Sequence, residues 1–157
     1  MVYYFPGIGF EIESRKINWG EKRNLIRQAL AEEFHQDDGM IDNSEFFDGD
    51  ASYDVVYRRD IYNNFKTIFD GDDFLTEVEI HRDFKISVSG ITLTFGEDIA
   101  ELINQLKKID GQITELEPGQ FLFRNLKMTI GNSESMGGMG NGLDYFYAAK
   151  DVEHLSS

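Results

Sequence analysis

The chain has no cysteine. That excludes disulfide frameworks, thiolate zinc sites and cysteine nucleophiles, and it is compatible with a reducing compartment. Histidines number only three, at positions 35, 81 and 154, so bases that titrate near neutral pH are few. There is no Gly-Lys pair for a P-loop, no G-x-S-x-G nucleophile elbow and no H-E-x-x-H metal helix. No uncharged apolar run approaches the roughly 18 residues of a membrane span. The opening MVYYFPGIGFEIESRK lacks the basic start and apolar centre of a secretion signal. A soluble, cytoplasmic protein without a membrane partner is expected. Cations are scarce as well: 15 Lys and Arg stand against 29 Asp and Glu, a formal charge of −14. A field of that sign repels nucleic-acid backbones and anionic membranes and attracts basic surfaces, so direct DNA or RNA binding is not expected.

What is present points to a folded chain. At 157 residues one domain spanning 1–157 is expected, and a domain near that size buries roughly 70% of the surface its unfolded chain exposes. An apolar fraction of 41%, with thirteen Phe and seven Tyr, supplies the burial that offsets conformational entropy. The charge is also concentrated. From Glu32 to Asp54 there are nine carboxylates and no Lys or Arg, interleaved with Phe34, Phe46, Phe47 and Tyr53. A solvated loop accounts for such a run. It is also what a docking segment for a basic partner needs, and the candidate partner-binding residues are Asp37, Asp38, Asp42, Glu45, Phe46, Phe47, Asp48, Asp50 and Asp54.

Two segments carry helical period. In NWGEKRNLIRQALAEEF the residues Leu25, Ile26, Ala29, Leu30 and Phe34 form one stripe, with Asn18 and Glu21 spaced as a capping box. TFGEDIAELINQLKKIDG repeats the device with Thr94 and Glu97, then Ile99, Leu102, Ile103, Leu106 and Ile109. Lys107 and Lys108 suit its last turn and Gly111 a left-handed stop. Elsewhere the period is two. Tyr53, Val55 and Tyr57 share a strand face, as do Phe74, Thr76, Val78 and Ile80, with Glu77, Glu79 and His81 opposite. DGDD before Phe74 reads as a hairpin turn, Ser89-Gly90 as a turn or bulge where the apolar parity slips, and Glu117-Pro118-Gly119-Gln120 as a type II turn. Strands follow at 121–123, 126–130 and 143–149. The fold class expected is α+β, a mostly antiparallel twisted sheet packed by two amphipathic helices.

The glycine-rich stretch GNSESMGGMGNG leads into LDYFYAA, which alternates as a strand. A phosphate loop must open into a helix whose N-terminus meets the anion, so a flexible hairpin connection is expected. EF-hand spacing fails from both Asp48 and Asp70, because position six or position twelve carries the wrong residue. Glu77, Glu79 and His81 lie two apart on a strand, about 6.6 Å per step, too spread to share one metal ion, so a solvent face is expected. His35, beside Asp37 and Asp38, suits the end of the first helix, where the dipole favours a cation. No catalytic residue, cofactor site or metal site is assigned.

The order of GIGFEI, the helix opening WGEKRNLIRQAL, the hairpin FDGDDFLTEVEI, then GITLTFGEDIAELINQL and the late strand LDYFYAAKDVEHL resembles small bacterial immunity proteins of polymorphic toxin and contact-dependent growth inhibition systems. That resemblance implies a cytoplasmic α+β protein that binds and neutralises a toxin domain, often a nuclease with a basic cleft. It transfers no role to any single residue. The leading expectation is a non-enzymatic acidic binding protein. Two alternatives stand beside it: a small hydrolase or carbohydrate-active enzyme using paired carboxylates in a cleft, and an adaptor that takes a peptide along an open sheet edge.

Overall fold

The computed structural model describes residues 1–41 and 55–155. The chain opens with three short strands, β1 (Val2–Phe5), β2 (Gly9–Ile12) and β3 (Arg15–Asn18), followed by helix α1 (Arg23–Leu30). Four longer strands come next: β4 (His35–Ile41), β5 (Val55–Ile61), β6 (Phe65–Phe69) and β7 (Leu75–Ile80). The hairpin β8 (Lys85–Val88) and β9 (Ile91–Thr94) leads to helix α2 (Ile99–Leu106). The chain then runs through β10 (Ile113–Glu117), β11 (Gln120–Phe123), β12 (Met128–Asn132) and β13 (Leu143–Ala149).

The α+β class is as expected, but the strands divide into two sheets where one was anticipated. A five-stranded sheet has the order β3-β2-β1-β8-β9, and an eight-stranded sheet the order β10-β11-β12-β13-β7-β6-β5-β4. Among the described residues pairing is antiparallel except between β1 and β8, whose parallel pairing needs a long connection, supplied here by six strands and α1. Both sheets contribute to one core. Tyr4 stacks on Phe10 at 4.8 Å, and Phe146 of the larger sheet meets these two rings edge-on at 5.8 and 6.3 Å. The buried Tyr4 hydroxyl donates to the Leu126 carbonyl at 2.5 Å, so its polar end is satisfied inside the core.

Turn chemistry sets the hairpins, in part through residues the sequence does not advertise. Ser89 and Gly90 both take positive φ and join Val88 to its partner Ile91, which accounts for the parity slip. Gly119 takes φ +85° between the paired Glu117 and Gln120, as the Pro-Gly turn requires. In DGDD it is Asp73, not Gly71, that takes the left-handed conformation. The Asp70 side chain accepts from the amides of Asp72 and Phe74 and so closes the turn. The glycine-rich connection between β12 and β13 contains a 3-10 turn at Glu134–Met136. It is tied to the start of α2, where the Ile99 amide donates to the Asn141 carbonyl. It presents no helix to an anion.

Both helices are shorter than their apolar stripes. Asn18 and Glu21 do bond reciprocally, Glu21 Oε1 accepting from the Asn18 amide at 2.6 Å, but Asn18 ends β3 and the helix starts four residues on with Lys22 as its N-cap. α2 is capped by Asp98, whose carboxylate accepts from the Ala100 amide; Thr94 belongs to β9. Ile26 and Leu30, and Ile99, Leu102 and Leu106, are buried, whereas Leu25 and Ile109 are exposed. Lys107 and Lys108 follow the end of α2, and Gly111 has no left-handed φ. The left-handed stop is instead at Ala31, which ends α1. His35 therefore opens β4 and does not close the helix.

Candidate functional site

The acidic run lies along β4 and beyond it. β4 is the edge of the larger sheet and pairs with β5 over its whole length, from His35 opposite Ile61 to Ile41 opposite Val55. β5 in turn pairs with β6 only from Arg58 to Ile61. Residues 39–41 and 55–57 thus form a two-stranded ribbon projecting past the neighbouring strand. Met40 and Val56 are directly opposite each other on it and are 58% and 65% exposed. On the other face the Tyr57 phenol lies where a β-carbon on Gly39 would stand, and the Arg59 guanidinium covers the Tyr57 ring at 4.4 Å. Seven expected partner-binding residues, Asp42, Glu45, Phe46, Phe47, Asp48, Asp50 and Asp54, lie outside the described residues, as does Tyr53.

The other two are placed, and each already has a partner inside the chain. Asp37 pairs with Arg59 at 2.7 Å. Asp38 takes both terminal nitrogens of Arg23, at 2.8 and 3.1 Å, and a further bond from the Gln36 amide nitrogen. Arg23 projects from α1 and is almost fully buried. It reaches past Asp38 to Asp60, which has no exposed surface and also accepts two bonds from Arg27. The Arg23 bonds hold the Asp38 carboxyl down at about 2. At Asp60 burial pushes upward, but two guanidinium groups outweigh it and the net shift is down. These charges fasten α1 to β4 and β5.

A second cluster occupies the outward face of β7 and β13. Tyr145 donates to Glu79 at 3.1 Å, and Lys66 on β6 pairs with the same carboxylate at 3.2 Å. Glu77 lies 3.9 Å from His154, whose ring is 3.1 Å from the Tyr147 hydroxyl. His81, just past the end of β7, has Nε2 at 3.5 Å from Glu79, beyond a formed hydrogen bond. The expected solvent face is therefore a half-covered polar network. The C-terminal turn at Glu153–Leu155 adjoins it, with Val152 packed in a small apolar cluster with Tyr147, Ala149 and Leu122.

The two carboxylates diverge electrostatically. At Glu79 burial pushes up, but His81, Lys66 and Tyr145 outweigh it and bring the group to about 2. Glu77 is raised, chiefly by burial, against smaller opposing effects from His154 and Tyr147. Such a divergence suits an acid and base pair. Each carboxylate, however, already has its partners within the chain. Concavities of about 670 Å³ against Lys127, Lys150 and Asp151, and of about 310 Å³ against Tyr62, Lys66 and His81, have neither glutamate in their walls. Among the described residues, no three His, Asp or Glu side chains are grouped to hold a metal ion.

Comparisons with protein-family models, curated proteins and solved structures found no match. The chain's own geometry is thus the basis for any functional reading. Among the described residues no helix is long and apolar enough to cross a membrane. Sequence reasoning missed the Arg23–Asp60 centre and the part taken by Tyr145 and Tyr147. Arg23 and Arg27 are four apart and so share a helix face, a visible signal, but their partner Asp60 is far along the chain and nothing local marks it.

Proposed function

We propose that the chain is a non-enzymatic acidic binding protein. More narrowly, we read it as a cytoplasmic immunity protein that docks on a basic toxin domain through the projecting β4–β5 ribbon and the acidic residues 42–54. The observation that carries this reading is the exposed Met40–Val56 pair on a ribbon that extends past its sheet. An apolar pair at such a place suits a desolvated anchor, and the carboxylates that lie between Met40 and Val56 in the sequence would speed encounter with a cationic surface. Because Asp37 and Asp38 are engaged internally, the docking charge is assigned to residues 42–54.

Co-expression with the product of the immediately upstream reading frame tests the reading, with growth rescue and co-purification as readouts. Replacing Asp48 and Asp50 by Lys should slow association at least tenfold at low salt and flatten its salt dependence. Met40→Ser with Val56→Ser should speed dissociation while leaving the melting curve in place. Unchanged kinetics in both variants, or no rescue and no co-purification, would remove this reading.

A further inference from the structure

The outward face of the five-stranded sheet breaks the usual rule for a solvated sheet surface, on which outward positions are polar. Along that face Ser87, Thr92 and Thr94 obey it, each being the cross-strand neighbour of an outward position. On β1, the central strand, Val2 and Tyr4 point into the core, and Tyr3 and Phe5 point out at 42% and 41% exposed. Met1 and Ile8, at the two ends of the strand, are exposed as well. Phe5 lies opposite Gly9, which offers no side chain to cover it. Gly9 is held to glycine by φ +152° and by the Ile17 backbone, which fills the space a β-carbon would need. A contiguous apolar strip at the middle of a sheet marks an interaction surface.

We infer that this face is the interface of a homodimer, two copies packing sheet against sheet about a two-fold axis that runs along β1. The charges around the strip select that occupant and that axis. Glu11 lies opposite Tyr3 on the β2 side, and Lys85 lies on the β8 side, one residue before Ile86, the partner of Val2. Neither has an ion pair among the described residues. Rotation about the β1 direction lays β8 of one copy over β2 of the other. Lys85 then meets Glu11 twice, once on each side, while Tyr3 and Phe5 meet their own counterparts. An in-plane axis across the strands would bring Glu11 against Glu11. Lys16, opposite Glu11 within the sheet, lies one strand further out, so rotation about β1 is the orientation that sets Lys85 and Glu11 on facing strands, and the contact is isologous. Four-residue strands give an area at the small end of specific interfaces, so the dimer is weak, with a dissociation constant on the order of tens of micromolar or above. The −14 charge on each copy opposes it, and added salt strengthens it.

Sedimentation equilibrium of the full chain, from about 5 to 500 µM at low and at moderate salt, reads this directly. A reversible monomer–dimer equilibrium that tightens with salt is expected. Tyr3→Ser with Phe5→Ser should leave a monomer across the range. Glu11→Lys and Lys85→Glu should each weaken association about tenfold, and the double exchange should restore it. A chain that stays monomeric throughout, a dimer indifferent to Tyr3 and Phe5, or a double exchange that restores nothing would each overturn the inference. The charge exchange does not depend on the aromatic variant folding.

Discussion

Asp60 has no contact with solvent and stands between two guanidinium groups, so removing it leaves the buried Arg23 with Asp38 as its remaining close carboxylate and takes from Arg27 the carboxylate that it holds with two bonds. Asp60→Ala is expected to cost about 3–5 kcal/mol of folding stability, read from urea denaturation. Asp37→Ala, at a half-exposed pair, should cost at most about 1 kcal/mol. The same network fixes an acid limit. Asp38 has a folded value of about 2, below the ordinary aspartate range near 3.9. Its contribution is therefore complete above about pH 4 and is lost as pH falls toward 2, and Asp60 shifts in the same sense. Glu77 has the opposite sign. Its raised value means that the ionised form is disfavoured in the folded state, so its contribution is present below the ordinary glutamate range and lost as pH rises through the folded value. Glu77→Gln should accordingly raise the melting temperature at pH 7 by roughly 1–3 °C and have little effect at pH 4. A fall at pH 7 would show that the favourable influence of His154 and Tyr147 on the ionised form outweighs burial. None of these pairings is legible in the sequence, because each joins residues that only strand register, the packing of α1 on the sheet or the fold of the last turn brings together.

At the level of elements, local chemistry is legible where one or two residues decide it and not where packing does. Ser89-Gly90 and Pro118-Gly119 announce their turns. Glu13-Ser14 does not, although both residues take positive φ and join Ile12 to its partner Arg15 in the hairpin of β2 and β3. Helix periodicity shows which residues face the core, yet it overstates length. Phe34 continues the stripe of α1 in sequence, but the chain has already turned at Ala31, and Phe34 packs instead against Tyr62 and beneath Arg27. Phe34 is apolar for a different neighbour, so the period is coincidental there. The hairpin of β2 and β3 also supplies an element-scale test. Gly9→Ala combines a strained φ with a collision against the Ile17 and Asn18 backbone, which cannot rotate aside as a side chain would. It should cost about 2–4 kcal/mol and lower the cooperativity of unfolding. Gly7→Ala, in open space at φ +78°, bears only the conformational cost, about 1 kcal/mol.

Over the whole molecule, charge acts in two regimes that salt separates. The Arg23–Asp60 pair lies inside, where ions do not reach, while carboxylates exceed cations by 14 overall and most of that excess repels through solvent. Net charge was therefore the most legible whole-molecule property of the sequence. The division of its strands into two sheets was the least, because only long-range pairing such as β13 with β7 or β1 with β8 creates it. The melting temperature at pH 7 should rise by several degrees between about 20 mM and 500 mM sodium chloride as the repulsion is screened. The measurement belongs at about 2 µM, where a weak dimer is dissociated and mass action contributes nothing. Asp60→Ala should melt lower at both salts yet keep the same upward shift, since the lost pair is buried and the surface field is not. A melting temperature that falls with salt would mean that pairs within reach of solvent, such as Arg58–Asp73 and Arg59–Asp37, outweigh the repulsion, and that the acidic surplus is locally compensated instead of free to attract a basic partner.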